Sequence, residues 1–352
     1  MIYTKSNFTN EIARNAGYTE LSQEMNSIQS MLHFVKEEPK APNYFIETML
    51  KLVEFNRISP DNPYKLHKSY PSPRSIYSAK FFVKFGGLFV SKNEWTGCYE
   101  YYQYEQNQGN NWDILITFWR SYPNHYRFIQ KTLYLLEVGH LLYNVIYFAN
   151  LFNISYELDI QEGAIRLRAQ NKPYVGFNID KVSDMFLERT EQRSSGTYQH
   201  GVSSFNKLNK QAELPSRSVI QQFLGKAFEK EITQLISFEH FAKNNRGRFI
   251  TDRGFEIGYE SMNRIYPHVN FRGVELFSTF LIDHMAYQKG DQTLTKCILA
   301  VGFVAQYFLL WAADNAMFGR PIKSFSIHEF ERLSQVESQK NTLFYTQMYW
   351  AK

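Results

Sequence analysis

Two adjacent side chains, His125 and Tyr126, have the right types for proton transfer. An imidazole titrates near neutral pH, and a phenol beside it can relay a proton or orient the ring. Arg217 and Ser218 are a second such pair, since a guanidinium and a hydroxyl together hold a phosphate through charge-assisted hydrogen bonds. His140 follows a glycine inside a long apolar stretch and reads as a buried, hydrogen-bonding histidine. The two cysteines, Cys98 and Cys297, are far apart and lack metal-site or redox spacing, which points to two small apolar side chains in a reducing compartment. No His/Cys/Asp/Glu cluster has metal-ligand spacing, and neither a GxSxG elbow nor a Walker loop occurs. GFNID (176–180) and GFEIGYE (254–260) are not dinucleotide fingerprints.

The elements that must position these groups belong to a chain of 352 residues, 44% of them hydrophobic, which is enough for two domains with real cores. Aromatics reach 17% and suit packed cores and flat-ligand pockets equally. The net charge of +5 contains no Lys/Arg run of five or more, so a nucleic-acid partner is not expected. MIYTKSNFTNEIARN has no apolar signal-peptide core, and a cytoplasmic location is expected. The most apolar run, residues 297–313, is 17 residues long with Gln306 inside, and reads as a core helix, not a membrane span.

Along the chain, residues 1–36 read as a helical N-terminal arm, 37–185 as a first module, 186–213 as a polar linker and 214–352 as a second module. Within the first module the alternation in 78–90, broken by Gly86-Gly87, and in 97–106 predicts paired strands. A long apolar helix is predicted over 127–152, followed by strands at 155–160 and 164–170. The second module is predicted to open with a helix running from Ser216 through ISFEHF, and to contain a second apolar helix over about 292–316. VGHLLYNVIYFAN from Val138 and VGFVAQYFLLWAA from Val301 both begin Val-Gly and share an alanine ten residues after that glycine, Ala149 and Ala312. The fixed offset of 163 residues suggests an internal duplication.

The second half resembles the nitroreductase family. SRSVIQQFLGK (216–226) stands where that family has an Arg-Arg-Ser segment and helix, and VGFVAQYFLLWAADNAMFGRPIKSF (301–325) follows its central helix and Pro-Ile loop. Gln306 is kept, whereas Tyr307 replaces an asparagine and Ser324 a glycine. The first half is similar to the azoline dehydrogenase (SagB-type) branch, through YPSPRSIYSAKFFV (70–83), GCYEYY (97–102), HYRF (125–128) and LLEVGHLLYN (135–144). His125 stands where that branch has a lysine, and Pro73-Arg74-Ser75 replaces a glycine-bearing turn.

The resemblance implies an α+β protein of two nitroreductase-like modules in tandem, each an antiparallel-dominated sheet with a long buried central helix, together supplying both halves of what is usually a dimer. It implies FMN as cofactor, in one composite site built from Ser72 and Arg74 of the first half with Arg217, Ser218, Lys323 and Ser324 of the second. The activity implied is oxidation of azolines to azoles in a ribosomally made peptide, with His125 and Tyr126 as the catalytic pair. The partners would then be the precursor peptide and an ATP-dependent cyclodehydratase, with further pairing of two chains left open. Two other readings stay open: a non-catalytic scaffold or peptide-binding subunit on a degenerate flavin fold, and a general NAD(P)H-dependent nitroreductase.

Overall fold

A computed structural model describes residues 29–58, 66–104, 113–161, 164–173, 179–192, 214–251, 254–267, 269, 273–315, 317–323, 325–326, 329–330, 332 and 341–351. The chain divides into two compact units, with the boundary between Glu191 and Gln192. Most of the expected N-terminal arm, the stretch 193–213 and Ser324 lie outside the described residues.

In the first unit, β1 (Leu32–Glu38) precedes helix α1 (Tyr44–Leu50), which Asn43 caps by accepting the Ile46 N–H at 2.9 Å. A two-residue pair follows, β2 (Arg57–Ile58) with β3 (Leu66–His67). Then come β4 (Ala79–Phe85), β5 (Leu88–Lys92), β6 (Tyr99–Tyr104) and β7 (Asp113–Phe118). Gly86 and Gly87 turn the β4–β5 hairpin with positive φ, the backbone region glycine enters without steric cost. The long helix α2 (Gln130–Leu151), the hairpin β8 (Tyr156–Gln161) and β9 (Ala164–Ala169), and helix α3 (Ile179–Gln192) complete the unit. Seven strands pair antiparallel in the order β1-β6-β5-β4-β7-β9-β8.

Two boundaries move from where the sequence placed them. Residues 32–36 are not arm but part of an edge strand, held to β6 by backbone ladder bonds. The supposed linker begins seven residues inside α3, whose Phe186 stacks on Tyr147 of α2 at 4.5 Å and is buried there. One apolar face was enough to hold that otherwise polar segment as a helix.

The second unit opens with α4 (Arg217–Leu224), capped by Ser216 through the Val219 N–H, and α5 (Lys230–Gln234). The helix expected to continue through ISFEHF stops there. Residues Ile236–Lys243 form β10, a strand between β11 (Phe249–Thr251) and β13 (Val274–Asp283), because pairing on both sides outweighs local helix propensity. β12 (Glu256–Ile257), α6 (Tyr259–Ile265), α7 (Met285–Gln288), α8 (Asp291–Asp314), β14 (Met317–Ile322) and β15 (Asn341–Ala351) complete a six-stranded antiparallel sheet, ordered β12-β11-β10-β13-β15-β14.

Six strands and one helix of the two units follow the same plan. In each, the strand before the long helix pairs with the second strand after it, and the first strand after it lies outermost. The starting residues Leu88 and Phe249, Asp113 and Val274, Gln130 and Asp291, and Tyr156 and Met317 are each 161 residues apart. That spacing agrees with the 163-residue offset of the helix motifs within the tolerance of element boundaries. Both helices are buried nearly all round, Gly139 and Gly302 included. Among the described residues α8 alone is long and apolar enough to cross a membrane, yet 83% of its apolar window is buried inside the fold, as in the core helix of a globular unit.

Gly319 shows how closely β14 approaches α8. A Cβ there would lie 2.5 Å from Leu309 Cδ2 and 3.1 Å from the Tyr349 ring. Gly319→Ala is expected to cost about 1–3 kcal/mol in urea unfolding, as overpacked cores do; no change in midpoint would mean the strand yields freely.

Candidate active site

An apolar core helix carries few polar groups, and those it carries must be paired. On α2 three of the buried ones, Glu137, His140 and Asn144, sit at i, i+3 and i+7 and so share one face. Two of them pin the segment 69–79 along about 10 Å of helix. Asn144 donates to the Ser69 carbonyl at 3.2 Å and to its Oγ at 3.1 Å. Glu137 accepts from the Ser72 hydroxyl at 2.5 Å, from the Ala79 N–H at 2.9 Å and from the Tyr122 hydroxyl at 3.0 Å. Burial pushes the Glu137 carboxyl above its usual range, and these donors pull it part of the way back. Burial, with Glu137 beside it, holds the Tyr122 phenol firmly neutral.

Between the pinned ends the backbone is strained. Arg74, Ser75 and Tyr77 have φ of 52°, 54° and 51°, a region that costs a residue with a side chain about 1–2 kcal/mol. Ser72 Oγ braces the turn by accepting the Tyr77 N–H at 2.8 Å. Strain held in place by a buried carboxylate is a mark of functional segments.

That segment and the turn before α2 bring four of the expected residues together. The exposed Arg74 guanidinium lies 5.5 Å above the Tyr126 ring. The exposed His125 ring is centred 4.2 Å from Tyr126, and Tyr126 meets Tyr122 edge-on at 6.2 Å. Tyr122 leads back through Glu137 to Ser72. The Ser72 hydroxyl is therefore occupied within the fold, while Arg74, His125 and Tyr126 form the outward part of the cluster.

In the second unit Arg217 and Ser218 occupy the exposed first turn of α4, with Ser218 Oγ 3.0 Å from Ser216 Oγ. Arg217 makes no ion pair among the described residues. Lys323 follows β14 and shares no hydrogen bond or ring contact with either residue. Its amine donates to the Phe344 carbonyl at 2.5 Å and lies 3.8 Å from the centre of the Phe344 ring. Burial lowers its pKa to about 7, and no carboxylate is within ion-pair distance among the described residues.

No known family's sequence profile matches this chain, and no curated protein matches it either. Among solved structures it is similar to the 1.80 Å crystal structure of a protein from Anabaena variabilis ATCC 29413 provisionally classed as a nitroreductase. The likeness has a TM-score of 0.55 at 11% identity and covers 99% of this chain and 90% of that one. The fold is nitroreductase-like. At that identity the likeness speaks for the fold alone, and because it covers nearly the whole chain it takes in both units.

Within this nitroreductase-like fold, sequence reasoning quoted Glu137 only as part of a motif and missed its bracing role. The signal was present: polar residues at positions 137, 140 and 144 in an otherwise apolar helix share one face and need partners. The inward turn of the Lys323 amine left no such signal, since a lone lysine is ordinarily solvated.

Proposed function

We propose that this chain is an FMN-dependent dehydrogenase that oxidises azolines to azoles in a ribosomally made peptide. Its partners would be that precursor peptide and the ATP-dependent cyclodehydratase that forms the rings, in the reducing cytoplasm, where its two free cysteines raise no conflict. The observation that carries this reading is the grouping of Arg74, Tyr126 and His125 beside a strained segment braced from within by Glu137.

The donors at the start of α4 fit a phosphate. Arg217 is exposed and free of acidic neighbours among the described residues, Ser218 brings a hydroxyl, and the amino end of an eight-residue helix adds N–H groups and a favourable dipole. These residues would hold the FMN phosphate. When bound, the flavin accepts a hydride. Turning an azoline into an azole removes one hydride and one proton, so the protein must supply a base for the proton. The His125 imidazole takes it, and the Tyr126 ring fixes the imidazole's orientation by packing at 4.2 Å. The cation of Arg74 over Tyr126 holds that ring and offers donors to a peptide carbonyl.

A specific observation favours a second reading, a peptide-binding scaffold on a degenerate flavin fold. The hydroxyl of Ser72 and the amine of Lys323, both expected to face the cofactor, are spent on Glu137 and on the Phe344 carbonyl.

An absorbance spectrum taken before and after adding FMN and desalting separates the two. Retained flavin bands, with Arg217→Ala weakening retention at least about tenfold, are expected of the dehydrogenase. A protein-only spectrum after soaking would remove the oxidoreductase reading and leave the scaffold.

A further inference from the structure

The first unit contains a polar pocket of about 130 Å³ that the proposed chemistry does not use. That is roughly ten times the space one water needs. Its wall carries three cations, Lys80, Lys92 and Arg120, and two carboxylates, Glu94 and Glu100.

The carboxylates are already well supplied with donors. Glu100 accepts from Lys80 at 2.6 Å, from the Tyr102 hydroxyl at 2.8 Å and from the Asn93 side chain at 3.0 Å. Glu94 takes the fully buried Lys68 ammonium as well as Arg120, the latter at 3.2 Å. Lys92 is taken up by Glu54 and Tyr99, while the other two cations have donors to spare. Among the described residues Arg120 uses one of its guanidinium N–H groups, on Glu94, and Lys80 bonds only Glu100 and Tyr102. The unmet capacity is for an acceptor, and an anion fills it best.

Two indoles complete the pocket. Trp119 lies 4.3 Å from the Lys80 ammonium. Trp95 stands at the rim, 69% exposed, which is unusual for so large an apolar side chain. A rigid turn holds it there: Asn93 Oδ1 accepts the N–H groups of Trp95 and Thr96 at 3.0 and 3.2 Å, and the Asn93 N–H reaches the Cys98 carbonyl at 2.8 Å. An exposed flat ring lining the same pocket as two cations with spare donors matches a ligand with a flat body and an acidic head.

We propose that this pocket binds a small planar molecule carrying a carboxylate, its ring against Trp95 and its head group on Arg120 and Lys80. The site depends neither on flavin nor on the dehydrogenase reading.

Calorimetric titration of the full chain tests it, with benzoate as the probe and benzamide, the same ring without the charge, as its control. Benzoate is expected to bind at millimolar concentration or below, with benzamide about tenfold weaker or more. Trp95→Ala and Arg120→Gln alter exposed or half-exposed side chains, and thermal melts confirm that both fold. Each is expected to weaken benzoate about fivefold or more, by removing the ring and the head-group contact respectively. Absence of binding, equal binding of benzamide, or benzoate binding that neither variant changes would each overturn the assignment.

Discussion

Glu137→Ala is expected to destabilise the first unit by about 3–5 kcal/mol and to lower its melting temperature by about 10 °C. The substitution leaves the Ala79 N–H buried without an acceptor and opens a void against α2. It also frees the turn that holds three non-glycine residues at positive φ. Glu137→Gln is the informative companion. Its carbonyl can still take the Ala79 N–H, while its NH₂ faces the Ser72 and Tyr122 hydroxyls, which can rotate to accept. The Gln variant is therefore expected to lose only about 1 kcal/mol.

The pH dependence of the two proteins has a definite sign. Glu137's folded pKa is raised, so its favourable contribution is complete below the unfolded pKa and fades as pH rises through the folded value. Glutamine does not titrate. The deficit of Glu137→Gln should be largest in acid and shrink towards neutral pH. Urea titrations at two pH values read this directly, and an alanine variant within 1 kcal/mol of the parent would dispose of the bracing role.

Lys323→Met is expected to stabilise the second unit, by about 2 kcal/mol at pH 6. An amine held in an apolar surround, without a carboxylate among the described residues, costs more to charge than it returns. The pKa of about 7 states the same penalty. The residue as a whole keeps some exposure, which tempers the magnitude. A group whose folded pKa is depressed adds stability above its unfolded pKa and loses it as pH falls through the folded one. The parent protein should thus gain on methionine between pH 7 and about 10, narrowing the gap. Denaturant midpoints at pH 6 and pH 9 measure it. A methionine variant weaker than the parent at pH 6, or a gap that ignores pH, would count against a buried amine with no carboxylate beside it.

The parts of the fold that could be read from the sequence are those with a strong period. The two apolar helices, the Gly86-Gly87 hairpin and the β8–β9 pair fall within a few residues of their expected places. β10 was misread because ITQLISFEHF has no glycine or proline to punctuate it, and its strand character comes from partners distant in sequence. The site divides in the same way. His125, Tyr126 and Arg74 announce themselves by side-chain type. The work of Glu137 depends on where residues 72, 79 and 122 arrive in space, and the direction of the Lys323 amine depends on a carbonyl 21 residues later.

In both sheets the second strand after the long helix is inserted between the strand before that helix and the strand just after it. β8 and β9 are neighbours in sequence and form a hairpin, so they can reach β7 as a pair. β15 is joined to β14 by a longer stretch of sequence and meets both of its neighbours from farther along the chain. The second sheet therefore closes through less local pairing than the first, and pairing of that kind is expected to form more slowly.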